Sequence, residues 1–242
     1  MNKQISKYLN SGKYDFKLFN INYTEKEQDC IDKIKIKKDQ LYSYFGSINK
    51  ISDINIFLSK IGNNTKEEID KLEKIILKLL KKVLDGYQTE YFWMDIRVTT
   101  PTKINDIPRW HHDGPFFGND IITSKFATVL KGPGTLLIKS TKKVSKIYNT
   151  IENASREEMR KTNNYDNQIK IHDKYRPIYA DKLKNEKIIQ VKNNQGVIFY
   201  AESGGIGGAL HSEPKFDENR IFISILPGTK DNIEGLKKRW NR

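Results

Sequence analysis

A single cysteine, Cys30, stands in 242 residues. No internal disulfide can therefore staple this chain, and a reducing, intracellular setting is expected. Long apolar runs are missing too. The N-terminal MNKQISKYLN lacks the hydrophobic segment of a secretory signal. The most apolar helical stretch, Ile75 to Leu84, is interrupted by Lys78, Lys81 and Lys82, which excludes a membrane span there. A soluble, cytoplasmic protein is the expectation. Internal repeats and low-complexity linkers are absent. Arginine is scarce beside lysine, and the two form no dense block although the net charge is +13. Lysine, isoleucine and asparagine are all abundant, as AT-rich coding imposes whatever the function. KIKIKK at 33–38 alternates as one face of an amphipathic element would. A solvated lysine-rich surface is thus expected rather than a nucleic-acid groove, and the charge favours an acidic partner or substrate. With 37% hydrophobic and 30% charged residues the chain is globular rather than disordered, and it is long enough to bury a sizeable core.

The pattern of the chain changes near residue 88. Before it the signals are helical. Thr65 and Glu68 make a capping box, and Ile69, Leu72, Ile75, Ile76, Leu79, Leu80 and Val83 recur at three- and four-residue steps before Gly86. A second helix is expected from Thr24 to about Phe45, carrying Cys30, Ile31, Ile34 and Leu41. After residue 88 strands dominate: 91–100, 125–130, 134–139, 187–192, 196–201 and 220–226. Gly132-Pro133 and Asn193-Asn194-Gln195-Gly196 mark turns between them. Residues 141–186 form a polar insertion, with Ser155 and Glu158 suggesting one short capped helix. Short strands behind covering helices predict a mainly β, α+β fold: an antiparallel barrel or sandwich with the N-terminal helices packed on one sheet. We expect one domain over 1–242, with a helical layer at 1–88 and a β core at 89–228.

The chemistry concentrates in Pro108-Arg109-Trp110-His111-His112-Asp113-Gly114-Pro115. In extended chain His111 and Asp113 point to one face and His112 to the other. An imidazole and a carboxylate that converge in this way are two-thirds of a 2-His-1-carboxylate facial triad, which holds Fe(II) on one side and leaves the other open. The third ligand must come from a distant strand, and His211, after Gly207 and Gly208, is the candidate. Nine residues later Arg220 opens RIFISIL. On that strand Arg220, Phe222, Ser224 and Leu226 share one face, while Ile221, Ile223 and Ile225 share the other. An Arg and a Ser facing a core make sense if a guest carboxylate accepts a bidentate guanidinium and a hydroxyl.

The order His111-x-Asp113, a long gap, His211 and then Arg220 resembles the Fe(II)/2-oxoglutarate-dependent dioxygenases, over roughly residues 90 to 228. The resemblance implies a double-stranded β-helix, that is, a jelly-roll barrel. It implies that His111, Asp113 and His211 bind Fe(II), that Arg220 pairs with the distal carboxylate of 2-oxoglutarate, and that dioxygen is the second co-substrate of a hydroxylase. Many members place Ser or Thr two residues after the arginine. Here that position is Phe222, which leaves Ser224, four residues on, or Lys125, at the start of the strand after the metal motif, to assist. The insertion at 141–186 and the loop at 114–124 lie where such barrels shape substrate access. The primary substrate is not encoded in any motif.

Two other readings compete. A cupin-like metal enzyme that does not use 2-oxoglutarate gives Arg220 no role. A non-catalytic jelly-roll binding module predicts that the three ligands do not converge. Other residues have plainer readings. His112 faces away from the ligands, and His172 is a surface histidine in the insertion. Cys30 packs in a helix, and Gly204 to Gly208 is a turn rather than a phosphate loop. Trp93, Asp95 and Arg97 share one strand face, at the substrate mouth or on an exposed sheet. Tyr200 and Glu202 are further candidates for the cavity.

Overall fold

A computed structural model describes residues 1–104, 106–204 and 206–240. Its elements, in chain order, are α1 (Asn2–Leu9), β1 (Phe16–Asn20), α2 (Glu25–Lys33), β2 (Gln40–Ser47), α3 (Ile54–Ser59), α4 (Lys66–Tyr87), β3 (Tyr91–Thr99), β4 (Ser124–Lys131), β5 (Leu136–Ile138), α5 (Lys142–Met159), α6 (Tyr165–Leu183), β6 (Ile188–Gln190), β7 (Gln195–Tyr200), β8 (Glu202–Ser203), β9 (Ile206–Gly207), β10 (Leu210–Ser212), β11 (Arg220–Gly228) and α7 (Lys230–Arg239).

Two antiparallel sheets carry the fold. The larger has the order β1-β7-β4-β11-β3-β2, and the smaller is β10-β5-β6. Their facing sides meet in a thin layer of Ala127, Leu137, Val197, Phe199 and Ala209, with Phe222 against them. This is the antiparallel sandwich the strand pattern implied, with helices on the larger sheet. The sheets stay open: no closed barrel forms among the described residues.

The other face of the larger sheet is capped by α1 to α4. Helix α4 starts as expected, with Thr65 Oγ1 accepting from the Glu68 N–H and the Glu68 carboxylate accepting from the Thr65 N–H. Its apolar stripe is buried from Ile69 to Leu84. The stripe packs against alternate residues of the sheet: Phe92, Met94, Ile96 and Val98 of β3, and Ile221, Ile223 and Ile225 of β11. The isoleucine face of β11 thus lies under the helices, and its Arg220-Phe222-Ser224 face looks into the space between the sheets. No described helix is long and apolar enough to cross a membrane.

Two expectations need correction, and one strand adds to them. The helix expected from Thr24 to Phe45 ends at Lys33. The chain then pays out through 34–39 and becomes β2, an edge strand on β3. The helical spacing of Cys30, Ile31 and Ile34 is real, but from Gln40 the residues alternate, with Tyr42 and Tyr44 packed toward the helices. The segment at 141–186 holds two long helices rather than one short one. Helix α5 is capped by the Thr141 hydroxyl, which accepts from Val144 N–H, and Ser155 lies buried inside it. Strand β1 was not anticipated. It pairs with β7, which lies 175 or more residues away in sequence, from Phe16 opposite Phe199 to Asn20 opposite Gln195.

Candidate metal centre

Backbone pairing assembles the centre. His111 and His211 exchange two main-chain hydrogen bonds, of 2.9 and 3.0 Å, and form an isolated antiparallel bridge. His211 is also the middle residue of β10, opposite Leu137 of β5. The smaller sheet therefore fixes one histidine, and that histidine fixes the other. Their ring centroids lie 4.3 Å apart.

Each imidazole is oriented by the carbonyl two residues before it. His111 Nδ1 lies 2.7 Å from Arg109 O, and His211 Nδ1 lies 3.0 Å from Ala209 O. A carbonyl can only accept, so in both rings Nδ1 carries the hydrogen and Nε2 keeps its lone pair. Both Nε2 atoms face Asp113 Oδ1, at 3.9 and 3.7 Å. These spacings are too long for hydrogen bonds and suit atoms grouped around a common ion. One donor atom from each of the three residues lies within 4.8 Å of the others. Burial pushes His111 down to about 4 and lowers His211 as well, so both rings are neutral, as ligation requires. Burial alone would raise the Asp113 carboxyl. The Lys125 ammonium, the largest opposing influence, outweighs it and holds the group well below the usual carboxylate range.

Asp113 divides its oxygens. Oδ1 faces the histidines, while Oδ2 meets Lys125 Nζ at 2.7 Å. Its carbonyl accepts from Glu202 N–H at 2.7 Å, which ties the ligand loop to β8. Arg109 Nε donates to Glu213 Oε2 at 3.2 Å and closes the side near His111. His112 turns away from the triad, edge-on to Tyr148 at 4.4 Å.

Arg220 lines the same cavity as the triad, together with Lys125, Ser224, Thr135, Ser212 and Arg97. The cavity holds about 130 Å³. The Arg220 side chain is 3% exposed. Its Nε donates to Pro133 O at 2.8 Å, and its guanidinium lies over Phe222 (4.4 Å) and Phe216 (5.1 Å). Gly132 permits this approach. At its φ of +85° a Cβ would lie 2.4 Å from Asn219 O and 3.0 Å from Arg220 Cα. No described acidic side chain forms an ion pair with Arg220, and burial pushes the guanidinium down to about 10. A fully enclosed cation without a counter-ion is costly.

Of the remaining candidates, Arg97 reaches this cavity while Trp93 and Asp95 do not line it. Asp95 is instead bonded to Trp93, Ser43 and Arg97. Tyr200 belongs to the helix-side core, whereas Glu202 lines a second cavity of about 670 Å³ beyond His111. That second cavity is walled by α5 and α6 and includes His172. Its Tyr148, Glu152 and Tyr179 were not singled out from the sequence. The capped spacing of Thr141, Val144, Tyr148, Ile151 and Ser155 was the available signal.

No protein-family model matches the chain, and no curated protein matches its sequence. Solved structures do match. One is a Pseudomonas putida prolyl-4-hydroxylase, at 10% identity over 93% of this chain and 97% of that one, with a TM-score of 0.41. A second is the Kdo hydroxylase KdoO, described as a non-heme Fe(II) alphaketoglutarate dependent dioxygenase, at 11% identity over 97% and 87%, TM-score 0.49. A third is a dioxygenase for auxin oxidation from Arabidopsis thaliana bound to 2-oxoglutarate, at 7% identity over 93% and 86%, TM-score 0.40.

Proposed function

We propose that the chain is an Fe(II)- and 2-oxoglutarate-dependent dioxygenase, a hydroxylase of a substrate still to be identified. One observation carries this reading: a buried guanidinium that makes no ion pair opens into the same small cavity as two neutral imidazoles and the Asp113 carboxylate, while the other carboxylate there, Glu213, is taken by Arg109. The donor set fits a ferrous ion. His111 Nε2, His211 Nε2 and Asp113 Oδ1 would hold it on one side, and the resulting site would carry one net positive charge. A ferrous ion bound there supplies the redox chemistry that couples oxidative decarboxylation of a 2-oxoacid to oxygen activation.

The chain's own contribution is placement. Arg220 supplies the fork that a dicarboxylate's far end requires, and its counter-charge arrives with the co-substrate. Ser224, on the same face and 8% exposed, is placed to add a hydroxyl. Lys125 is already engaged by Asp113 Oδ2, so it holds that carboxylate to one free oxygen instead of anchoring the co-substrate. Phe199 and Phe222 wall the cavity and exclude water. A cupin-like enzyme without 2-oxoglutarate leaves the Arg220 cation unexplained.

The test is anaerobic. Purified protein with Fe(II) and 2-oxoglutarate should show the weak visible charge-transfer band of the chelate, and succinate should form once oxygen is admitted. An absent band, with iron bound as shown by elemental analysis, would remove the co-substrate assignment.

A further inference from the structure

The cavity of about 670 Å³ shares His111 with the candidate metal centre, so a molecule seated in it lies against a wall that carries a ligand. Its size suits a small molecule or a large side chain. Helices α5 and α6 build one wall. Tyr148 and Tyr179 sit 5.3 Å apart at 32°, over the contact that joins the two helices. Glu152 is fully engaged there: Tyr179 Oη donates to one oxygen at 2.7 Å and Arg156 Nε to the other at 2.6 Å. Arg156 is thereby matched.

The opposite wall is different. Glu202 is exposed and makes no ion pair among the described residues, yet its backbone N–H is fixed on Asp113 O at 2.7 Å. The carboxylate therefore stands at a set position relative to a metal ligand. No lysine lines the cavity among the described residues, in a chain whose net charge is +13. Two carboxylates face one guanidinium, and that guanidinium is already held by Glu152. The sign of this cavity is the reverse of the protein's surface. An acidic guest would meet Glu202 with no free cation to offset it. A cationic guest would find an unpaired carboxylate beside a wall lined by Tyr148, Tyr175 and Tyr179, a combination suited to ammonium and guanidinium groups.

We infer that the primary substrate binds in this cavity through a cationic nitrogen group, an ammonium or guanidinium, received by Glu202 and the tyrosines of α5 and α6. The inference rests on the proposed function for what happens to the substrate, but not for its binding.

The experiment has two arms. In the first, metal-free full-length protein is titrated with L-arginine, L-lysine and spermidine, and with L-citrulline, L-norleucine and L-glutamate. Saturation-transfer NMR and the fluorescence of Trp110, which lines the cavity, report binding. L-arginine should bind about tenfold or more tightly than L-citrulline, the size of effect a charge-assisted hydrogen bond gives. Glu202→Gln should abolish most of that preference while leaving circular dichroism and iron content unchanged. The inference is overturned if L-citrulline matches L-arginine, if L-glutamate binds best, if no probe binds at millimolar concentration, or if Glu202→Gln keeps the preference. In the second arm the same probes are added to the anaerobic Fe(II)/2-oxoglutarate sample, where the cations should shift the visible band. Cation preference without any band would keep the pocket assignment and remove the oxygenase. A band without cation preference would do the reverse.

Discussion

Replacing Arg220 with methionine tests the proposed co-substrate anchor, because the structure sets both what the residue costs and what it gives. Burial, only partly offset by the Glu213 carboxylate and reinforced by Arg97, pushes the guanidinium from its ordinary range down to about 10. At 1.36 kcal/mol per tenfold, that is a burden on the order of 3 kcal/mol. The sign is that of a buried cation. The burden is present in full at every pH below about 10 and eases only as pH rises past that value, so at neutral pH the fold carries all of it. Against it stand a charged hydrogen bond to Pro133 O, worth about 1.5–3 kcal/mol, and two aromatic faces worth about 0.5–2 kcal/mol each. At the low end of these ranges, about 2.5 kcal/mol together, the terms nearly cancel without ligand. Arg220→Met should therefore melt within about 4 °C of the parent chain, a shift of about 1 kcal/mol for a protein of this size. With Mn(II) and 2-oxoglutarate present the two proteins should part. Loss of a desolvated charge pair costs about 2 kcal/mol or more, which is about thirtyfold or more in co-substrate affinity by calorimetry. Two results would refute the reasoning. Co-substrate affinity within about threefold of the parent would deny Arg220 its role, and a drop of about 10 °C without ligand would make it a structural residue instead.

Other perturbations separate the remaining parts. His111→Ala and His211→Ala should each reduce bound iron from stoichiometric to background, as measured by elemental analysis; full occupancy in either would remove that residue from the ligand set. Lys125→Met should alter 2-oxoglutarate affinity by less than about threefold, because Lys125 is engaged by Asp113, and a loss of about thirtyfold would instead make it the anchor. Leu80→Ala, at a fully buried position in α4, should cost about 2–5 kcal/mol in urea unfolding, and a cost under about 1 kcal/mol would mean the helix layer is not part of the cooperative core.

What the sequence made legible was periodic. Helix α4 and its cap, the longer strands of the β core and the two faces of β11 were all written in local spacing. The direction of His111 and Asp113 followed from two-residue alternation, although the segment that carries them is only bridged to His211 and belongs to no ladder. What stayed hidden depended on partners far away. Strand β1 is five residues long and exists because β7 offers it an edge. Strand β2 follows a helix after only six residues, 34–39, which themselves carry the buried Ile34 and Ile36, so its apolar residues extend a helical count by coincidence. In the insertion, α6 carries Pro177 and only two buried residues, Tyr179 and Leu183, too sparse a stripe to read. Its place is set by packing on α5. The proposed division of labour between Arg220 and Lys125 was equally out of reach, since it turns on which cation stands beside Asp113.

The main-chain bridge between His111 and His211 has a bearing on how the protein would be loaded. Because ordinary peptide hydrogen bonds join the two imidazole carriers, the candidate ligands are brought together once the chain has folded, before any ion arrives. Stripping by a chelator should then leave an empty but shaped socket that refills on addition of metal, without refolding. A preformed socket of two nitrogens and one oxygen also discriminates poorly among first-row divalent ions. Which one occupies it would be settled by supply at the time of filling, so a preparation exposed to zinc or nickel would be expected to emerge inert and to recover after exchange.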